Sequence, residues 1–89
     1  MNREVLKISS NTDVKKLSGA IAGIIRRDED VELQAIGPKA VSQAVKAVAI
    51  AKGYLAPEGI EIIINPAFIN VVVGDGDAKS AISMMVEKR

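Results

Sequence analysis

The spacing of apolar residues changes several times along the chain, and these changes limit the folds that it can adopt. In residues 14–25 and 41–51, apolar side chains recur every three to four positions, which is typical of one buried helix face. Elsewhere they alternate with polar residues or form short β-branched runs, which is typical of strands. The order β-α-β-α-β-β predicts an α+β two-layer sandwich, with both helices packed on one face of a four-stranded mixed sheet.

Local signals set the expected limits of these elements. Pro66 cannot donate to a strand ladder, so an edge position or a bulge is expected around it. Gly53 is expected to end the second helix, and Gly74–Asp77 forms a hairpin turn. The predicted strands are Arg3–Ser9, Val31–Ile36, Ile60–Ile64 resuming as Phe68–Val73, and Lys79–Glu87; the predicted helices are Asp13–Arg27 and Pro38–Lys52.

The same patterns predict which side chains are buried. The helix faces expected in the core are Val14, Leu17, Ile21, Ile24 and Ile25 in the first helix, and Val41, Ala44, Val45, Val48 and Ala51 in the second. In the second strand, Val31, Leu33 and Ala35 are expected on one face. The sheet face away from the helices carries Ile63, Ile69, Val71 and Val73, an apolar patch that indicates association. Alternatively, a bulge at Pro66 turns some of these side chains into the core.

The amino-acid composition excludes several kinds of catalytic, metal and nucleic-acid site. The chain has no Cys and no His, so thiolate nucleophiles, zinc-finger sites and a histidine base are excluded. With one Tyr and one Phe, it lacks the stacking aromatics of an RNA-recognition sheet. We therefore expect a protein that is not an enzyme and has no cofactor and no metal site. No apolar stretch is long enough to cross a membrane and no signal peptide is evident, so one cytoplasmic domain over residues 1–89 is expected.

The first helix carries an unusual solvent face. Gly19 and Gly23 lie one turn apart on it, although a helical glycine costs about 1 kcal/mol relative to alanine. The cations around them are Lys15, Lys16, Arg26 and Arg27. We interpret this strip as a place of close contact with another subunit or with a nucleic-acid backbone. The alternative is that these surface positions tolerate glycine and make no such contact.

The second helix presents a stripe made by Lys39, Gln43 and Lys46. No acidic residue lies between Glu32 and Glu58, although the net charge of the whole chain is only +1. The helix begins at Gly37-Pro38, and free backbone N–H groups at a helix start favour an anion. A phosphate site is one interpretation, and an ordinary solvated lysine face is the other. Ile50 continues this solvent-facing stripe, and an apolar side chain in that position suggests contact with a partner subunit.

Three segments carry a family resemblance. Residues 34–52, 18–25 and 64–68 resemble the corresponding segments of the stage V sporulation protein S family, in order and at matching spacing. That family is placed in the Alba-like superfamily, so the resemblance implies an Alba-like fold and a sporulation-related role. By superfamily analogy it also implies nucleic-acid binding.

The more distant likeness to Alba proteins is partial. Lys39–Val45 is similar to the start of their second helix, with Lys39 in place of the arginine that contacts the nucleic-acid backbone. Ser10 and Asn11 stand where Alba proteins carry a lysine pair, with Lys15 and Lys16 one turn later. The hairpin bears Asp75 and Asp77 where theirs is basic.

Together these observations predict a regulatory, homo-oligomeric protein, a dimer or tetramer, that binds DNA or RNA without sequence preference through phosphate contacts. The alternative is an oligomeric scaffold in sporulation that binds proteins and no nucleic acid. The predicted phosphate contacts are Gly37, Lys39, Gln43 and Lys46, assisted by Lys15 and Lys16, and the predicted oligomer contacts are Gly19, Gly23 and Ile50.

Overall fold

The computed structural model describes residues 3–89 and has two helices on a four-stranded mixed sheet. This is the predicted α+β sandwich with the predicted element order. The predicted domain of residues 1–89 is thus described except for its first two residues. The elements are β1 (Arg3–Ile8), α1 (Val14–Arg26), β2 (Asp30–Ala35), α2 (Pro38–Leu55), a 3-10 turn (Ala56–Glu58), β3 (Ile62–Val72) and β4 (Ala78–Lys88).

The sheet has the strand order β1-β2-β4-β3. β1 pairs with β2 in parallel, and β4 lies antiparallel between β2 and β3. Val31, Leu33 and Ala35 of β2 are fully buried on one face, as the alternation predicts. Around them lies the core shared with the helices, formed chiefly by Leu17, Ile21, Ile24, Ile25, Ala44, Val48, Ala51, Leu55, Ile62, Met84 and Val86.

Two expectations about α2 are wrong. Val45 is 46% exposed, because the small residues Ala40, Ala44, Ala47 and Ala51 form the buried face and turn Val45 outward. Gly53 does not end the helix, which continues to Leu55. Leu55 is fully buried, and burying a leucine gains about 1.5–3 kcal/mol, more than the roughly 1 kcal/mol that a helical glycine costs. Pro57 and the left-handed Gly59 then end the segment.

Pro66 lies within one continuous strand. β3 pairs with β4 without a break from Ile62 to Val72, with Pro66 opposite Met84. The expected edge position is confirmed, and there is no bulge. A missing N–H on the open side of an edge strand removes no ladder hydrogen bond. Ile63, Ile69 and Val71 therefore stay on the face away from the helices instead of turning into the core.

The β3–β4 hairpin is longer than the rest of the sheet. The pairing of β2 with β4 ends at Ala35 and Ile82, so residues 69–81 project beyond β2. The molecule is accordingly elongated, with extents of 44 × 27 × 17 Å. At the tip, the backbone N–H of Asp77 donates to the Asp75 carboxylate at 3.1 Å, and Gly76 adopts a positive φ of 89°.

A buried carboxylate lies at the centre of the outer sheet face. Glu32, only 7% exposed, accepts hydrogen bonds from Gln34 Nε2 at 2.9 Å and from the Ser83 hydroxyl at 2.8 Å. The Arg3 guanidinium is 3.5 Å away. These two hydrogen bonds, helped by the charge of Arg3, hold the pKa of Glu32 below its ordinary value of 4.5. They stabilise the ionised side chain in a place where burial alone would disfavour it.

This network predicts a stability difference that depends on pH. Ser83→Ala is expected to lower the free energy of unfolding by about 1–2 kcal/mol at about pH 7, because it removes a bond to a charged acceptor. Since the folded-state pKa is lowered, the contribution is complete above the unfolded-state pKa. It is lost as the pH falls through the folded-state pKa.

Urea unfolding of the wild type and the variant at about pH 7 and about pH 3 measures this difference. Ser80→Ala, an exposed serine of the same strand, is the control and should change neither value by more than about 0.5 kcal/mol. An equal loss for Ser83→Ala at both pH values would contradict the role of the ionised carboxylate.

Candidate nucleic-acid interface

Both helices begin at the same end of the sheet, where the parallel strands β1 and β2 stop. Their starts differ in how the backbone N–H groups are satisfied. The carboxylate of Asp13 accepts from the backbone N–H of Lys16 at 3.1 Å and so caps α1. Gly37 precedes α2 and supplies no side-chain cap. The backbone N–H groups of Lys39 and Ala40 consequently face the region beyond the helix start, where an anion is favoured.

Glycine is required at position 37 by its backbone angles. Gly37 has a φ of 89° and a ψ of 157°, a region essentially confined to glycine. Gly37→Ala is therefore expected to lower the free energy of unfolding by about 1–3 kcal/mol. Gly53→Ala is the matched control, because Gly53 is helical and a Cβ there meets nothing within 4 Å. That change should stabilise by about 0.5–1 kcal/mol. Urea unfolding of both variants measures whether the two changes in the free energy of unfolding have opposite signs. Stabilisation by Gly37→Ala would contradict the requirement for glycine.

A hydrogen bond joins the two helices near their starts. Gln43 donates from Nε2 to the backbone oxygen of Thr12 at 3.0 Å and thereby ties the start of α1 to α2. The two bonded residues are 31 positions apart. The amide nitrogen of Gln43 is thus used inside the protein.

We call Lys7, Lys15, Lys16, Lys39 and Lys46 the lysine end. All five are exposed, and among residues 3–89 none lies within salt-bridge distance of a carboxylate. Their mutual repulsion is therefore uncompensated by internal ion pairs. An anion bound there would remove that repulsion.

The opposite end of the molecule carries the ion pairs. Arg26 reaches Glu58 at 2.7 Å, which raises the pKa of Arg26 and lowers that of Glu58 through their hydrogen bond. The pKa of Asp28 is lowered in the same way by Lys88. The remaining pairs described are Arg27 with Glu4 and Glu29, Arg89 with Glu61, and Arg3 with Glu32. The ion pairs thus lie where β1 and β2 begin, and five of the seven cations without an ion pair in residues 3–89 form the lysine end; the other two are Lys52 and Lys79. Asp13, which caps α1, is next to Lys15 and Lys16 in the chain.

A groove of about 530 Å³ opens at the lysine end. It lies between the ends of β1 and β2, the start of α2 and the hairpin segment Val71–Val73. Of its lining residues, sequence reasoning predicted only Gly37 and Lys39 as site residues. Among those it missed are Lys7, Gln34 and Ile36. A signal for the first two existed, since the carboxyl ends of neighbouring parallel strands meet at one edge of a sheet. No sequence signal indicated that the hairpin segment Val71–Val73 would line this groove.

The three residues predicted as oligomer contacts lie on the two helices, where Gly19 is exposed and Gly23 and Ile50 are half-buried. Gly19 and Gly23 lie one turn apart on α1, and Ile50 and Tyr54 lie four residues apart on α2. An added Cβ on either glycine would meet nothing within 4 Å. We call Gly19, Gly23, Ile50 and Tyr54 the glycine groove. Tyr54, which is 44% exposed, is a member that the sequence pattern did not indicate.

Comparison with known proteins agrees with this architecture. The family model for stage V sporulation protein S (SpoVS) matches residues 4–89. The chain belongs to the stage V sporulation protein S family. The resemblance inferred from residues 18–25, 34–52 and 64–68 is therefore confirmed.

A solved structure extends the comparison to the fold. Alba from Thermoplasma volcanium is similar with a TM-score of 0.60 and 15% identity, over 99% of this chain and 100% of that chain. At this identity the likeness establishes a shared Alba-like fold. In addition, neither helix within residues 3–89 is long and apolar enough to span a bilayer.

Proposed function

We propose that this sporulation-family protein is a non-enzymatic, cytoplasmic nucleic-acid-binding protein that holds the phosphate backbone of DNA or RNA at its lysine end. The observation that carries the proposal is the segregation of charge. All six ion pairs described in residues 3–89 leave the five cations of the lysine end without a carboxylate partner. The uncapped start of α2 adds backbone donors beside Lys39.

Binding of this kind is independent of sequence. Lysine and backbone N–H contacts to phosphates fix the position of a nucleic acid but carry no sequence information. Lys39 and Lys46 contact phosphates directly, Lys15 and Lys16 extend the cationic surface, and Gln43 holds the two helices in register. The carboxylates of Asp75 and Asp77 at the hairpin tip repel phosphates, so the tip makes no phosphate contact.

The salt dependence of binding tests the proposal. Four lysine–phosphate contacts for each protomer predict a slope of about −3 to −4 in a plot of log affinity against log salt concentration. Between about 50 and 200 mM salt, affinity for a short duplex should then fall on the order of 100-fold. Anisotropy of a labelled oligonucleotide measures it, and a flat salt dependence would contradict phosphate binding.

A second surface supports self-association. Residues 62–72 of the edge strand β3 contain no charged side chain, whereas exposed edges are ordinarily protected by charge. Phe68 is 81% exposed, and a groove lies between Val45 of α2 and Ile64 of β3. We call Val45, Ile64 and Phe68 the β3 flank.

We propose that a second copy of the chain covers the β3 flank to form a dimer. A two-fold interface buries the same patch on both protomers, so an uncharged flank is complementary to itself. The glycine groove is then the contact by which two dimers meet in a tetramer. Self-association without nucleic-acid binding is the scaffold alternative, and the β3 flank is the observation that favours it.

A further inference from the structure

The lining of the groove at the lysine end is of two chemical kinds. Lys7, Lys39, the uncapped start of α2 and the hydroxyl-bearing Ser9 and Ser10 are its polar lining, which we call the cationic side. Ile36 and the hairpin segment Val71–Val73 are its apolar lining, which we call the apolar side. Its volume of about 530 Å³ lies within the range of sites that hold small organic ligands. A ligand that fits both sides must carry an anion next to an apolar, compact body.

The cationic side is suited to a phosphate. Lys7 and Lys39 have no carboxylate partner among residues 3–89. Pro38 has no N–H, so the first free backbone donors of α2 belong to Lys39 and Ala40, both on the groove wall. One phosphate oxygen can accept from these amides while another meets a lysine.

The apolar side is suited to the face of a nucleobase. Ile36 is 44% exposed and Val72 is 75% exposed, so both offer apolar surface that the protein itself does not cover. A duplex presents phosphates to such a surface but keeps its bases paired and stacked inside. A single strand can place an unpaired base against it while its phosphate stays on the cationic side.

We infer that this groove binds one unpaired nucleotide, with its phosphate at the start of α2 and its base against Ile36 and the hairpin. The inference rests on the proposed function, because the phosphate contact at Lys39 is common to both. It adds a ligand class, namely single strands in preference to duplexes. The groove contains no aromatic side chain that would stack strongly, so the base identity matters little.

The test compares a labelled single-stranded RNA of ten adenosines with a blunt RNA duplex of the same length, at one salt concentration. The wild type should bind the single strand about tenfold more tightly than the duplex. This preference is a modest fraction of the affinity that base stacking contributes at sites with aromatic side chains. Ile36→Ser should remove about this tenfold preference and leave duplex affinity unchanged. Val5→Ser is the matched control, because Val5 is 45% exposed, lies outside the groove and should change neither affinity.

Val72→Ser repeats the test on the hairpin wall, independently of any folding defect in Ile36→Ser. Equal affinity for both nucleic acids, or a preference unaffected by Ile36→Ser and Val72→Ser, would overturn the inference and leave the phosphate site standing. If Lys39→Ala binds both the single strand and the duplex as tightly as the wild type does, the proposed function is overturned instead. Displacement of the strand by micromolar adenosine 5′-monophosphate would overturn the assignment to a strand and identify a free nucleotide as the ligand.

Discussion

Replacing Lys39 and Lys46 together by alanine is expected to weaken nucleic-acid binding by on the order of 10–100-fold at about 0.1 M salt, similarly for all sequences. Each lysine that neutralises a phosphate releases a counterion, so two lost contacts should also flatten the salt slope by about two. Both side chains are exposed and make no internal ion pair among residues 3–89. Folding should therefore change by less than about 0.5 kcal/mol.

The control removes the same charge from the other end of the molecule. Lys88→Ala/Arg89→Ala eliminates two cations that are paired with Asp28 and Glu61. Affinity should fall only slightly, and the salt slope should stay at its wild-type value. Equal flattening by both double variants would mean that total charge, and not the lysine end, controls binding.

Phe68→Asp is expected to raise the dimer dissociation constant by about 30-fold or more, because buried aromatic anchors typically contribute 2 kcal/mol or more to an interface. In the isolated chain the side chain is 81% exposed, so the fold does not depend on it. Sedimentation equilibrium measures the dissociation constant, and urea unfolding under monomeric conditions checks the fold.

Tyr54→Asp is the matched control for the dimer. It also places a carboxylate on an exposed aromatic position, but in the glycine groove, so the dimer should persist. A dimer that survives Phe68→Asp and dissociates with Tyr54→Asp would show that the helix layer, and not the β3 flank, is the dimer interface.

Sequence patterns predicted the fold well because it is set by local periodicity and turn residues. The pairing of β3 with β4 follows from the predicted hairpin turn. The pairing of β2 with β4 was not predicted, because alternation shows that a strand is half-buried and does not identify its neighbour. The errors arose where tertiary packing outweighed a local preference. Buried Leu55 carried α2 past Gly53, and the close packing of alanines on α2 turned Val45 outward.

The candidate site was predictable only in part. Gly37, Lys39 and Lys46 stand out because one helix start and one acid-free segment contain them. The segregation of charge was not predictable, because its ion pairs join residues far apart in the chain, such as Arg26 with Glu58 and Lys88 with Asp28. The groove likewise depends on where the hairpin crosses the ends of β1 and β2. Near-neutral net charge therefore conceals one cationic end.

The most direct test of phosphate binding at the lysine end is a map of backbone amide chemical shifts in the isotope-labelled protein during titration with a short oligonucleotide. We expect the largest shifts at Gly37, Lys39 and Ala40, with further shifts at Lys15, Lys16 and Lys46. The amides of Arg26, Glu58 and Glu61 at the ion-paired end should stay in place. Shifts concentrated at that end, or no shifts at the start of α2 at saturation, would contradict phosphate binding at the lysine end.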